Sequence, residues 1–65
     1  MTKITPAEFY NFRMKYYNGE WTALRLGQAF INKYDPSSGE ASADIFYEPD
    51  AIKAESMIQV RYVEF

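Results

Sequence analysis

Neither cysteine nor histidine occurs among the 65 residues of this chain. A fold of this size without a disulfide or a bound zinc ion must be stabilised by its apolar core alone. The same two absences exclude thiol nucleophiles, zinc fingers and histidine-based catalytic triads. The sequence therefore predicts one small domain, residues 1–65, with little room for a catalytic cleft.

Aromatic residues make up 18% of the chain, as six tyrosines, five phenylalanines and one tryptophan. Aromatic rings supply a large buried area per residue, which suits a minimal core or a protein interface. No apolar run approaches the roughly 20 residues that a membrane span needs, and the first residues do not match a signal peptide. We therefore expect a cytoplasmic protein that has no membrane partner.

A complete helix-start signal lies at Thr5-Pro6-Ala7-Glu8. Threonine is a good N-cap, proline suits the first helical position, and Glu8 completes a capping box. No Gly or Pro interrupts the chain from Glu8 to Tyr17, and Asn18-Gly19 then supplies residues that end helices. We predict a first helix from Pro6 to Tyr17.

A second helix is predicted from near Trp21 to Tyr34, and Asp35-Pro36 ends it because the residue before a proline avoids the α region. Gly27 lies inside the apolar arc of this helix. Because glycine costs a helix about 1 kcal/mol relative to alanine, we expect another element to pack closely against it. The turn-rich segment that follows is predicted to be a surface loop, anchored to the core by the short apolar run Asp44–Tyr47.

The last segment carries two conflicting patterns. Ala54 and Ile58 follow helical spacing, and Asp50 can cap the start of a helix. From residue 57 onward, however, the residues are β-prone and alternate as they would in a strand. We predict a third helix, and therefore an all-α fold, a small three-helix domain. The alternative is an α+β fold with a short C-terminal strand at residues 57–65, whose best internal partner would be residues 44–47.

The first helix has an unusually wide apolar side. Tyr10, Met14 and Tyr17 lie beside the stripe that begins with Phe9 and Phe12. This is more aromatic surface than a single seam in so small a fold can bury, and Tyr, Trp, Met and Arg are enriched at interface cores. The predicted partner-binding residues are Tyr10, Arg13, Met14, Tyr17 and Trp21.

Arg13 projects from the middle of this wide apolar side. A guanidinium group in that position has to stack on rings, pair with a carboxylate or reach a partner. The ordinary alternative is an arginine stem that lies over the rings and keeps its charged head in water.

A polar stripe on the predicted second helix suggests a different function. Arg25, Gln28 and Asn32 face away from its core side, and these residue types read bases in the major groove of DNA. Two helices joined by an Asn-Gly turn also match a helix-turn-helix in outline. The alternative function is therefore a DNA-binding regulator. The ordinary interpretation is that the amides are solvated and that Arg25 pairs with Glu20 or with the acidic C-terminal half.

Charge is divided unevenly along the chain. Residues 1–34 hold five basic and two acidic residues, a net +3, and residues 35–65 hold two basic and seven acidic residues, a net −5. The simplest explanation is that the halves neutralise each other across the fold; alternatively, each half steers a partner. DNA-binding domains usually carry a strong basic excess, so the total of −2 favours a protein partner over nucleic acid.

The carboxylates Asp44, Glu48 and Asp50 are the best candidates for chemistry, and their pattern does not favour it. They flank a proline turn, where solvated ends and helix capping are the usual roles. They lack the loop glycine and the terminal glutamate of a calcium-binding loop, and acid/base catalysis needs perturbed groups in a cleft. We expect no metal, no cofactor and no enzymatic activity.

The stretch Arg25-Leu26-Gly27-Gln28-Ala29-Phe30-Ile31-Asn32, followed by Asp44-Ile45-Phe46-Tyr47-Glu48-Pro49-Asp50, resembles a pattern in small uncharacterised proteins of tailed phages and prophages. Those proteins begin with a short Glu-Phe-Tyr-type helix, as Glu8-Phe9-Tyr10 does here. The resemblance implies a phage accessory protein that acts inside a bacterial cell, and it brings no known chemistry with it.

The predicted function is therefore a non-enzymatic protein-protein interaction module in the cytoplasm of a bacterial host. It would bind a host or phage protein and modulate it, for example as an inhibitor, by occupying a surface. A homodimer would cover the aromatic side of the first helix equally well.

Overall fold

Four α-helices and one 3-10 turn form the chain in a computed structural model that describes residues 3–64. The helices are α1, Pro6–Tyr17; α2, Leu26–Tyr34; α3, Ala43–Tyr47; and α4, Ala51–Tyr62. The 3-10 turn, Gly39–Ser42, leads directly into α3. Since the described residues contain no strand, the prediction of a small all-α fold is confirmed, with α3 as a short additional helix.

Local signals alone account for the bounds of α1, which are those predicted. The backbone N–H of Glu8 donates to the Thr5 hydroxyl at 3.1 Å, and the Thr5 N–H donates back to the Glu8 carboxylate at 3.4 Å. This capping box satisfies donors that the first turn of a helix leaves without partners. At the other end, Gly19 adopts a left-handed φ of 91°, which stops the helix just after its cap, Asn18.

The prediction that the second helix begins near Trp21 is wrong, because α2 begins at Leu26 and residues 18–24 form turns and a bend. Contacts with α1 hold this segment away from helical geometry. The Tyr16 hydroxyl donates to the carbonyl oxygen of Leu24 at 2.9 Å, and the Trp21 ring lies 5.2 Å from the Phe12 ring. These tertiary contacts outweigh the helical spacing of the sequence.

Gly27 is the point where α2 and α3 approach each other. The carbonyl carbon of Ile45 lies 2.9 Å from the place that a Cβ on Gly27 would occupy, and its oxygen lies closer still. The Ile45 side chain is completely buried. The prediction of a close approach at Gly27 is therefore confirmed, and so is the prediction that the apolar run at residues 44–47 anchors the loop.

The C-terminal segment is helical, so the alternative of a strand at residues 57–65 is wrong for residues 57–62; Phe65 lies outside the described residues. Ile58 and Tyr62 are buried while Val60 between them is 83% exposed; a strand would put all three on one face, so the burial pattern is helical. Val63 alone forms a β-bridge, and its partner is Ile4, in parallel, instead of the predicted residues 44–47.

Aromatic rings from three of the helices meet at Phe30 in the centre of the core. Its ring centroid lies 5.3 Å from that of Phe12 in α1 and 5.2 Å from that of Tyr62 in α4, both edge to face. Such pairs add to the gain from burial alone. Most of the aromatic side chains thus lie in or against the core. The few tyrosines that remain exposed are therefore candidates for contact with a partner.

Candidate protein-interaction surface

Three large hydrophobic side chains of α1 are exposed to solvent. Tyr10, Met14 and Tyr17 are 56%, 49% and 53% exposed, and we call them the α1 surface. They follow each other at i, i+4 and i+7, so they form one stripe along the helix. The same helix buries Phe9 and Phe12 on its other side. The core packs against the other side of α1 and leaves this stripe about half exposed.

Arg13 and Tyr17 meet on one carboxylate of α4. Arg13 Nε lies 2.6 Å from Oε1 of Glu55, and the Tyr17 hydroxyl donates a hydrogen bond to Oε2 of the same residue. Glu55 is buried, with only 6% of its surface exposed. A carboxylate taken out of water needs both a counter-charge and a donor, and α1 supplies one of each.

The Glu55 contact changes the acidity of Tyr17. Partial burial and the hydrogen bond to the Glu55 carboxylate raise the pKa of the Tyr17 hydroxyl to about 12. Burial disfavours the charged phenolate, and the Glu55 carboxylate disfavours a second negative charge beside its own. Tyr17 is thus fixed at its hydroxyl while its ring stays half exposed, which orders this end of the α1 surface.

The five predicted partner-binding residues divide into two groups. Tyr10, Met14 and Tyr17 form the exposed stripe, whereas Arg13 is paired with Glu55. Trp21 is half buried and packs its ring on Phe12, so it lies against the core. Glu55 is the residue that sequence reasoning missed here, and its signal was its place in the sequence between Ala54 and Ile58, inside the buried side of α4.

The alternative DNA-reading residues do not share one exposed helix face. Arg25 precedes α2 and its Nη1 donates to the carbonyl oxygen of Tyr47 at 3.1 Å, instead of pairing with Glu20. Gln28 is half buried, and Asn32 is exposed beside a cavity. The predicted polar stripe does not form as one helical face, because α2 begins only at Leu26 and Arg25 lies before it.

The candidate carboxylates of the C-terminal half serve structural roles. Asp44 accepts from Arg61 Nη1 at 2.7 Å, and Asp50 caps α4 by accepting from the N–H of Ile52 at 2.9 Å. Hydrogen bonding to Arg61 holds the pKa of Asp44 below its ordinary value. Across residues 3–64, no group of three carboxylates is arranged to hold a metal ion.

Ion pairing does not cancel the charge difference between the two halves. Of the three ion pairs in the described part of the chain, only Arg13–Glu55 joins the N-terminal half to the C-terminal half. The other two, Arg61–Asp44 and Lys53–Glu48, lie within the acidic half. One such pair leaves most of the opposite net charge of the two halves without an ion-pair partner in the other half.

Two further exposed features were not anticipated. One is the outer side of α4, where Ile52 and Val60 are 67% and 83% exposed. The other is a cavity of about 360 Å³ between the end of α2, the 3-10 turn and α3, with the exposed ring of Tyr47 on its wall. Neither could be read from the sequence, because both depend on how α2, α3 and α4 pack.

No helix found between residues 3 and 64 combines the length and the apolar character needed to cross a bilayer. Comparison of the chain with protein-family models, with curated proteins and with solved structures finds no match in any of the three.

Proposed function

We propose that this chain is a non-enzymatic protein-binding module, a phage or prophage accessory protein that binds a host or phage protein through the α1 surface and modulates it by occupying its surface. The observation that carries the proposal is that Tyr10, Met14 and Tyr17 stay about half exposed in a fold that packs every other described ring except that of Tyr47 in or against its core. A tyrosine ring offers a large contact area with few rotatable bonds to fix on binding. A methionine side chain is flexible and adapts its shape to the partner.

In this proposal Arg13 positions the surface and does not contact the partner. Its ion pair with Glu55 neutralises the carboxylate that also accepts the Tyr17 hydrogen bond. Tyr17 is then held in one orientation before a partner arrives, which lowers the entropy lost on binding.

The test is affinity capture from bacterial lysate with the tagged chain, with and without nuclease. The binding variant is Tyr10→Ala with Met14→Ala, which leaves the Tyr17–Glu55 hydrogen bond intact. The control is Ile52→Ala with Val60→Ala, which removes similar exposed apolar area from α4. We expect a stoichiometric protein that the control retains and the α1 variant loses by about tenfold or more, as for interface hot spots.

The other outcomes are equally clear. Equal retention by both variants would place the binding site elsewhere and end the proposal. Retention that disappears with nuclease would instead favour the DNA-binding alternative through Arg25, Gln28 and Asn32. A chain that captures only itself would make the α1 surface a homodimer contact.

A further inference from the structure

An open cavity lies between the end of α2, the 3-10 turn and α3, and we call it the α2–α3 groove. Its volume of about 360 Å³ is within the range of ligand-binding clefts, roughly 300–1,000 Å³. Ile31 and Phe46 supply apolar wall, and Asn32 and Glu40 supply polar groups. It lies on different helices from the α1 surface, so nothing in the proposed function uses it.

One carboxylate, that of Glu40, lines the groove. Residues 35–50 hold five carboxylates and no basic residue, and of the residues that line the groove only Glu40 carries a charge. Among the described residues Glu40 takes part in no ion pair, whereas Asp44 and Glu48 are paired with Arg61 and Lys53. Arg61 donates to the carbonyl oxygen of Ala41, beside Glu40, at 3.4 Å, but its ion pair is with Asp44.

An exposed aromatic ring, that of Tyr47, also lines the groove. Tyr47 is 65% exposed, and its ring stands edge to face on Phe46 with 4.9 Å between centroids. A cation over an aromatic face gains about 0.5–1 kcal/mol at exposed sites, and a nearby carboxylate adds charge complementarity. The apolar lining of the groove suits an apolar side chain of a ligand. The aromatic ring and the unpaired carboxylate suit a cationic side chain next to it.

We propose that the α2–α3 groove binds a short segment of another protein in which an apolar side chain lies next to a lysine or arginine. The apolar side chain enters the groove against Ile31 and Phe46. The cation lies between the Glu40 carboxylate and the ring of Tyr47. The groove is thus a second docking site, and its partner is distinguished by positive charge.

The test is titration of the ¹⁵N-labelled chain with the capped peptide Ala-Phe-Lys-Ala, followed by NMR. Its control peptides are Ala-Phe-Glu-Ala, which reverses the charge, and Ala-Ala-Lys-Ala, which removes the apolar side chain. We expect saturable shift changes at the groove residues with the first peptide and much weaker changes with both controls.

Variants of Glu40 test the role assigned to its charge. Glu40→Gln should weaken the Lys peptide about two- to fivefold, the effect of one exposed charge pair, whereas Glu20→Gln, a matched loss of charge in the turn after α1, should not. Glu40→Lys should reverse the preference toward the Glu peptide. A variant whose fold is merely disturbed would bind both peptides more weakly and would not reverse the preference between them.

Three results would overturn the proposal: shifts that map outside the groove, equal binding of the Lys and Glu peptides, or a Glu40→Lys variant that keeps the original preference. Groove shifts that appear on concentrating the chain without peptide would also overturn it, because the occupant would then be a second copy.

Discussion

Of the three glycines, Gly27 has the least room for a side chain. A Cβ there would overlap the carbonyl oxygen of Ile45, which belongs to the backbone and cannot rotate away. Adding atoms to a packed core costs about 1–3 kcal/mol, and a backbone clash belongs at the top of that range or above it. We expect Gly27→Ala to destabilise the chain by at least about 3 kcal/mol, although alanine is the better helix former.

Urea unfolding followed by circular dichroism measures this, and Gly39→Ala is the control. Gly39 has a left-handed φ of 58° but open space around its Cα. Its substitution should cost only the strain of that conformation, about 1–2 kcal/mol. Equal losses for the two variants would show that the Gly27 contact with α3 contributes nothing of its own.

Tyr17 makes stability depend on pH at the alkaline end. Its pKa is raised from 10.0 to about 12, so above pH 10 the unfolded chain loses a proton that the folded chain keeps. The contribution of Tyr17 to the free energy of unfolding is fully present below about pH 10 and is lost as the pH rises toward 12. We expect Tyr17→Phe to show a shallower loss of unfolding free energy between pH 9.5 and 11.5 than the unsubstituted chain.

The comparison uses slopes, because Tyr17→Phe also loses a hydrogen bond at every pH. Tyr34 and Tyr62, whose pKa values are also raised by burial, remain in both proteins and contribute equally. Tyr10→Phe controls for loss of a tyrosine from the same surface. Parallel pH slopes for Tyr17→Phe and the unsubstituted chain would contradict the role of the Glu55 contact.

At the scale of elements, sequence reasoning succeeded where local signals agreed and failed where a tertiary contact intervened. The bounds of α1 followed from the capping box at Thr5 and from Gly19. The start of α2 did not, because the Tyr16 hydroxyl bond to Leu24 depends on how the turn folds back onto α1, which helical periodicity does not report. Periodicity likewise placed Tyr10, Met14 and Tyr17 on one stripe, whereas the Glu55 partner of Arg13 required knowledge of how α1 and α4 face each other.

The start of α4 depends on its cap at Asp50, which accepts from the backbone N–H groups of Ile52 and Lys53. Asp50→Ala should therefore lower the unfolding free energy by about 1 kcal/mol, the usual value of an N-cap. Asp50→Asn keeps an accepting oxygen and should lose much less. Chemical denaturation at neutral pH measures both, and equal losses would assign the effect to charge and not to capping.

At the scale of the whole molecule, the β-bridge joins the two ends of the described chain. The Ile4 N–H donates to the Tyr62 carbonyl and the Glu64 N–H donates to the Ile4 carbonyl, both at 2.8 Å. The side chain of Ile4 is 3% exposed, so it belongs to the core although it precedes α1. Ile4 therefore packs the start of the chain onto the end of α4.

We expect Ile4→Ala to cost about 2–4 kcal/mol, in the range for buried aliphatic truncations. A chain of this length has roughly 3–10 kcal/mol in total, so thermal unfolding should shift strongly downward. Ile52→Ala, which truncates an isoleucine that is 67% exposed, should change stability by no more than about 0.5 kcal/mol. If both variants unfold at the same temperature, the segment before α1 does not stabilise the fold.

The parallel direction of the bridge also decides how the fold responds to mechanical force. Because Ile4 and Val63 run the same way, residue 3 leaves the bridge at one end and residue 64 leaves it at the other. Tension applied through the two ends slides these segments past each other and strains both hydrogen bonds at once. An antiparallel pair pulled from neighbouring ends would lose its hydrogen bonds one at a time. In this fold the two hydrogen bonds of the bridge are instead loaded together, in shear.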